Sequence, residues 1–326
     1  MLLSAFLMPF VYMTVTAFKD RDQIVASATG PLLPVDPATY EYEGEVYEVY
    51  EVPMPDGGVR ELALIQSGRQ SSTFIDPADP EAGLIEWEGR WRSLEPVWEF
   101  APRIGNFEEA WNRANFPRLI FNTAFIAFAG TIGTLLSCTA VAYAFARFPI
   151  PGKNIMFFIL VATIVLPRQI MLVPTYAFFD FIGWTGTWLP LIVPHFFANA
   201  YNTFILRQYF MGLPRELDEA AMIDGAGPLG ILIRVIVPQS WPVLVAVALF
   251  HIVFAWNDYL EPLIYTLGHA ELQPIAVGIQ QFNYRYDQQP HLIQATALLG
   301  MALPVFLFFA AQRFFMRGVV ITGVEK

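Results

Sequence analysis

Arg207-Gln208-Tyr209-Phe210-Met211-Gly212-Leu213-Pro214-Arg215-Glu216-Leu217-Asp218-Glu219-Ala220-Ala221-Met222-Ile223-Asp224-Gly225-Ala226 is a charged stretch set between two long hydrophobic runs, and it closes at Val235-Ile236-Val237-Pro238. Its residue order reads as a short helix. Pro214 suits a first turn, where its missing N–H is not needed. Glu216, Asp218 and Glu219 place negative charge near that N-terminus, where the helix dipole favours it. Ala220 and Ala221 are small and helix-forming. Gly225 stands where a left-handed residue closes a helix. The expectation is a helix of about ten residues, a turn, and a second helix from about Leu229 that ends at Pro238. A small-residue face lets such a helix approach a partner closely, and its acids suit a basic groove. The alternative is an amphipathic helix resting on lipid. Helices of that kind carry Lys and Arg on their polar face, whereas this one carries acids, which anionic lipids repel.

The runs around this stretch set the class of the chain. Of its 326 residues, 55% are hydrophobic and only 15% are charged, and its mean hydropathy is +0.45. Ordinary globular chains are about 25% charged. This is the composition of an integral membrane protein. A hydrocarbon core of about 30 Å takes roughly 20 apolar residues as a helix, and the chain offers six candidates. They are Met1 to Phe18, Leu119 to Phe145, Ile155 to Phe179 (interrupted by Pro167-Arg168 and Pro174), Trp188 to Leu206, Gln239 to about Ile264, and Leu292 to Gln312. The first has no basic residue before it; a cleaved signal peptide is the alternative there, but the charged n-region is missing.

Orientation follows from Lys and Arg in the short loops. Arg147, Lys153, Arg207, Arg215, Arg234, Arg313, Arg317 and Lys326 share one set of span ends, and the opposite loops, 180–187 and 265–291, hold only Arg285. The Glu219 loop and the C-terminus are therefore expected in the cytoplasm, with residues 19–117 outside.

That external segment has its own character. The net charge of the chain is −10, and 19 of its 29 acids lie between Lys19 and Arg118. Acids alternate with aromatic or aliphatic residues from Tyr40 to Tyr50, the period of a half-buried strand. Pro55-Asp56-Gly57-Gly58 is a turn signal, with a return strand from Val59 to Ile65. Ser71 to Ile75 and Leu84 to Trp91 are further strand candidates, and Phe107 to Trp111 reads as a short amphipathic helix. The expectation is a small acidic β-rich insert, either a docking surface or substrate gate, or a purely structural addition. No basic patch suits nucleic acid, and the single cysteine, Cys138, leaves no disulfide within the chain.

Several motifs together carry a family resemblance. Glu219-Ala220-Ala221, three residues, a Gly, nine residues and an aliphatic triplet ending in Pro238 resemble the coupling loop, or EAA motif, of ABC importer permeases. Ala144-Phe145-Ala146-Arg147-Phe148 with Pro151-Gly152-Lys153-Asn154, and Leu166-Pro167 with Gln169, Pro174 and Tyr176, are similar to the carbohydrate-type members. So are Trp256-Asn257-Asp258 with Pro262-Leu263-Ile264, and Gln312-Arg313-Phe314-Phe315 with Arg317-Gly318. The likeness is to the maltose-type second permeases, weak over 1–18 and strong over 116–323. It implies an all-α polytopic membrane protein: six transmembrane helices of the ABC importer type I permease fold, with a β-rich external insert between helices 1 and 2. The expected division is helix 1 at 1–18, the insert at 19–117, and a permease core at 118–326 whose coupling loop spans about 207–238.

The resemblance also implies partners: two ATPase subunits that hold ATP and Mg, a second permease, and an external solute-binding protein. This chain has no Gly-x-x-x-x-Gly-Lys-Ser/Thr phosphate loop, so no cofactor is expected on it and no catalysis by it. Glu219 would meet the ATPase groove, with Ala220, Ala221, Asp224 and Gly225 shaping the docking helix. Asp258 and Glu261, one turn apart near the outer end of the fifth span, either line a sugar path, since carboxylates accept hydroxyl hydrogen bonds, or pair at the water interface. Trp256 and Asn257 carry the same two readings, as do Asn199 and Asn202, whose alternative is interhelical hydrogen bonding. His195 and His251 lie within spans and read as neutral hydrogen-bonded groups or a proton relay; none of the four histidines has metal-ligand spacing with another. Arg168 beside Pro167 marks a helix break facing protein or water. The solute is expected to be a sugar or oligosaccharide, with a polyamine or phosphate ester as alternatives. An ion-coupled secondary transporter would carry a carboxylate near the bilayer middle and inverted repeats, and neither is visible.

Overall fold

The computed structural model describes residues 2–26, 31–55, 57–284 and 287–319. Met1, Asp56 of the turn signal, Arg285 and Lys326, all used in reading the sequence, lie outside the described residues. The chain divides into two compact units, one of residues 1–109 and 285–295, the other of residues 110–284 and 296–326.

The first unit opens with α1 (Leu2–Ala17), uncharged and mostly apolar, with Pro9 inside it. Its 16 residues rise about 24 Å at 1.5 Å per residue, short of a full hydrocarbon core. A short helix α2 (Arg21–Ala26) follows. The strands are β1 (Val35–Pro37), β2 (Thr39–Tyr42), β3 (Glu45–Pro53), β4 (Val59–Gln66), β5 (Ser71–Ile75), β6 (Leu84–Glu88), β7 (Glu95–Pro96) and β8 (Trp98–Phe100). β2 through β6 form an antiparallel meander in chain order, β7 adds to β3, and β1 pairs with β8. The Tyr40–Tyr50 alternation, read above as one strand, is two. Glu43 and Gly44 both take positive φ, 52° and 85°, which closes the two-residue hairpin that matches strand twist. The pleat then sends Ala38, Val49, Ala63 and Ile75 into one apolar cluster and Tyr50, Val52, Leu62 and Phe74 into another.

α3 (Gly105–Arg113) leads into the helical unit. There α4 (Phe116–Arg147) runs unbroken for 32 residues, and the buried hydroxyls of Thr123 and Thr131 donate to Leu119 O and Ala127 O of the same helix at 2.7 Å. The next elements are α5 (Lys153–Ala162), α6 (Arg168–Phe181), α7 (Leu189–Ile192), α8 (Ala200–Met211), α9 (Glu216–Ile223), α10 (Pro228–Ile231), α11 (Val237–Gln239), α12 (Trp241–Asn257), α13 (Leu260–Tyr265), α14 (Ile275–Gly278) and α15 (Pro290–Val319).

Among the described residues, only α4 and the Pro290–Ala310 part of α15 are single helices long and apolar enough to cross a membrane. The third, fourth and fifth expected spans are broken. Leu166, ahead of Pro167, is extended, as pre-proline residues tend to be, and the segments on either side meet at 98°. The expected fourth span, Trp188 to Leu206, is interrupted: α7 passes into a 3₁₀ turn at Val193–Phe196, and α8 starts afresh after an extended Asn199. Pro190 and Pro194 remove backbone donors there. The fifth breaks at Asp258, which is extended (ψ 121°), before α13. Two more findings concern the loop. The second helix closes one residue past Pro238: α10, a π-helical turn at Leu232–Ile236 and α11 carry the chain to Gln239, and the direction changes by 82° at Ser240. Pro214 lies before the helix rather than in its first turn, since α9 starts at Glu216 behind Arg215.

Candidate functional site: the membrane-end helix and its buried ion pair

α9 is eight residues long, a little over two turns, and its side chains must choose sides. Asp218 turns inward and is buried, while Glu216, Glu219, Ala220 and Ile223 share the exposed face at helical spacing. The inward contact is an ion pair: Arg147 Nε lies 2.9 Å from Asp218 Oδ2, with both side chains more than nine-tenths buried. The same guanidinium donates to Leu213 O at 3.1 Å. Arg147 is the last residue of α4, so the pair bolts α9 onto the end of the longest helix. Ala221 and Ala226 pack on the apolar cluster formed by Tyr143, Ala146, Phe210, Ile231 and Ile236.

The helix ends in a Schellman arrangement. Gly225 (φ +80°) donates to Met222 O at 3.0 Å, and Ala226 donates to Ala221 O at 2.9 Å. Asp224 caps the helix and is exposed. Tyr209 Oη donates to Gln239 O at 3.2 Å, tying the start of the segment to its finish. A cavity of about 230 Å³ opens beside α9, between Tyr143, Arg147, Arg215, Asp218, Glu219 and Met222. Around it Met222, Ile223, Leu229 and Ile233 are exposed to half their surface or more. The result is a rigidly held surface of acids and apolar side chains with no catalytic constellation. Pro238 sits at the far end of the segment, exposed.

The other sequence candidates divide. Asn199 caps α8: its Oδ1 accepts from Asn202 N at 2.9 Å. Asn202 is buried. Trp256 is 4% exposed and donates from Nε1 to Gly300 O at 2.9 Å, so its ring is packing between helices. Asn257 donates to Val253 O at 2.7 Å. Asp258 and Glu261 are brought together with Arg168, whose Nη2 lies 2.5 Å from Glu261 Oε1 and 4.0 Å from Asp258 Oδ2. The guanidinium also stacks 4.5 Å above the Phe254 ring. The sequence reading had Arg168 only as a marker of a helix break; its partners lie about ninety residues on and left no local signal.

Two further groupings were not legible. His195 and His251 stack edge to face at 4.4 Å, and His251 Nδ1 lies 3.3 Å from Thr134 Oγ1; among the described residues no third metal-ligating side chain joins them. The 271–275 loop is pinned to α4 by Asn122 Nδ2, which donates to Glu271 O and Gln273 O at 2.8 and 2.9 Å. Arg118 Nε and the Thr123 hydroxyl add bonds of 3.0 and 2.8 Å.

Residues 133–321, more than half the chain, match the family described as binding-protein-dependent transport system inner membrane component. An osmoprotective compounds uptake permease protein, GgtD of Synechocystis sp., is 30% identical over 269 residues, covering 81% of this chain and 89% of its own length. An sn-glycerol-3-phosphate transport system permease protein, UgpE of Yersinia enterocolitica, is 32% identical, covering 73% and 82%. An alpha-glucoside transport system permease protein, AglG of Rhizobium meliloti, is 28% identical, covering 68% of this chain and 60% of its own. Among solved structures, a bacterial ABC transporter involved in the import of the acidic polysaccharide alginate superposes with a TM-score of 0.63 at 17% identity, covering 96% of this chain and 91% of that one. The chain belongs to the inner-membrane permeases of binding-protein-dependent ABC importers. It is a multi-pass subunit of the inner membrane, working with a periplasmic binding protein and ATPase subunits, and it is not itself catalytic.

Proposed function

We propose that the chain is one of two permeases in an importer for a sugar or oligosaccharide, driven through α9 by two ATPase subunits. The observation that carries this reading is the arrangement of α9. Asp218 locks the helix to α4, and Glu219, Ala220 and Ile223 stand outward on it. A displacement of that face by a partner is transmitted to α4 through packed side chains and the ion pair rather than absorbed by a loose loop. ATP binding on the partners shifts the permease between two states because the ATPase face fits them unequally.

In this reading the six spans put the α9 segment and the C-terminus in the cytoplasm and residues 19–117 outside. The six spans are α1, α4, α5 with α6, α7 with α8, α12 with α13, and α15. Broken helices are tolerated at membrane depth where they are covered by protein or line water, which suits the breaks at Pro167, Asn199 and Asp258. Arg168 is half exposed on a helix that buries no residue. A charge so placed is costly against lipid, so this face suits the second permease or the solute path. The carbohydrate reading draws support from the alpha-glucoside relative; glycerol-3-phosphate and osmoprotective compounds are the competing solutes named by the others.

Co-purification from native membranes tests the coupling role. Wild type should carry an ATPase with it, and Glu219→Lys should lose it. Equal recovery from both would remove Glu219 as the key contact.

A further inference from the structure

Three arginines of the acidic β-sheet unit converge at one end of it. Arg69 lies in the β4–β5 connection, and Arg90 and Arg92 in the β6–β7 connection. Together with Ser67, Gln70 and Trp91 they line a groove of about 970 Å³ that contains no acid. Among the described residues none of these guanidiniums has a carboxylate partner, whereas Arg103 of the same unit pairs with both Asp20 and Asp36. In a segment where acids outnumber bases about two to one, three arginines gathered without an acid repel one another, and an anion relieves that repulsion.

The groove is also built. Gly89 donates to Gln70 O at 2.7 Å, joining the two connections. It does so at φ +155°, where a Cβ would lie 2.2 Å from the Trp87 ring, so only glycine fits. Trp91 is half-buried, braced edge-on by Tyr50 at 6.1 Å and covered by Arg92 at 5.3 Å. The volume is at the upper end of small-molecule sites, about 300–1,000 Å³, far more than a single phosphate needs. Ser67 and Gln70 supply hydroxyl-compatible donors and acceptors among the cations.

We infer that this groove binds an acidic saccharide, its carboxylates or sulfates held by Arg69, Arg90 and Arg92. The inference deepens the carbohydrate reading and rests on it. Guanidiniums hold carboxylates in a two-pronged geometry that ammonium groups do not offer.

Isothermal titration calorimetry on the full chain in nanodiscs tests it, with trigalacturonate, maltotriose and inorganic phosphate as probes. Trigalacturonate should bind saturably and more weakly as salt rises. Each of Arg69→Gln, Arg90→Gln and Arg92→Gln should raise its Kd about tenfold. Arg60→Gln, which removes the same charge from a strand outside the groove, should leave it unchanged. No saturable binding, equal binding of maltotriose or phosphate, or unchanged affinity in the triple variant would overturn the inference. So would capture of a purified solute-binding protein that the triple variant loses while no saccharide binds, since the groove would then be a protein seat. Uptake of a neutral sugar by the assembled importer, measured alongside, separates failure of the groove from failure of the carbohydrate reading.

Discussion

Asp218 and Glu219 are adjacent in the chain and face opposite ways, and their chemistry follows from that. Asp218 is buried against Arg147, so removing either partner leaves a charge without compensation, at a cost of about 3–5 kcal/mol. Asp218→Leu or Arg147→Leu alone should therefore lower the thermal midpoint of the purified chain sharply. The double variant should recover most of the loss. Equal losses in single and double variants would mean that the pair is not coupled. Glu219 makes no such contribution to stability in this account, and Glu219→Lys should melt as wild type does. Tyr50, in the β-sheet unit, gives a pH signature. Burial and its 2.6 Å hydrogen bond to Glu48 raise its pKa above the usual tyrosine range. The neutral phenol is favoured in the folded state, so its contribution is whole below about pH 10 and is lost as pH climbs through the folded-state value. Alkaline unfolding followed by near-ultraviolet circular dichroism should show less pH dependence in Tyr50→Phe.

At the scale of elements, the fold was legible wherever a local rule decided it. The glycine closing α9, the unbroken apolar run of α4, and the strand at Ser71–Ile75 all follow from residues within one turn or one strand. Gly225 carries a direct test. Gly225→Ala forces a left-handed Cβ at a cost of about 1–2 kcal/mol, and should weaken recovery of the ATPase while leaving α4 helical by circular dichroism. What was not legible depended on distance or on turn chemistry. The Tyr40–Tyr50 alternation hides its hairpin, because Glu43-Gly44 keeps the period of two on both sides. Hydropathy counts apolar residues and is blind to Pro190 and Pro194, so the fourth span looked continuous. Arg147 with Asp218, Arg168 with Glu261, and His195 with His251 are each dozens of residues apart or more, and only the packing of α4 with α9, of α6 with α13, and of the 3₁₀ turn after α7 with α12 joins them.

The whole molecule has two charge economies. The helical unit pairs Arg147 and Arg168 with acids on other helices, and the β-sheet unit carries most of the acids and gathers arginines at one end. In the membrane unit the Arg168 cluster links α6 to α12 and α13 across the break in each. Arg168→Ala leaves Asp258 and Glu261 beside each other without a cation, and should cut solute uptake by reconstituted importer. Arg168→Lys, which keeps the charge but not the fork, should restore it in part. Uptake at wild-type level in Arg168→Ala would remove the cluster from the transport path. Crosslinking shows whether the outward face of α9 is where the ATPase sits. With Cys138, the only cysteine, replaced by Ser, a cysteine is placed at Ala220 on the exposed face or at Ser71 in the β-sheet unit, and the assembled importer is treated with a short bifunctional reagent. A crosslink to the ATPase subunit is expected from Ala220→Cys and none from Ser71→Cys. An assembled, transport-competent complex that gives no ATPase crosslink from Ala220→Cys or from Ile223→Cys would contradict that placement.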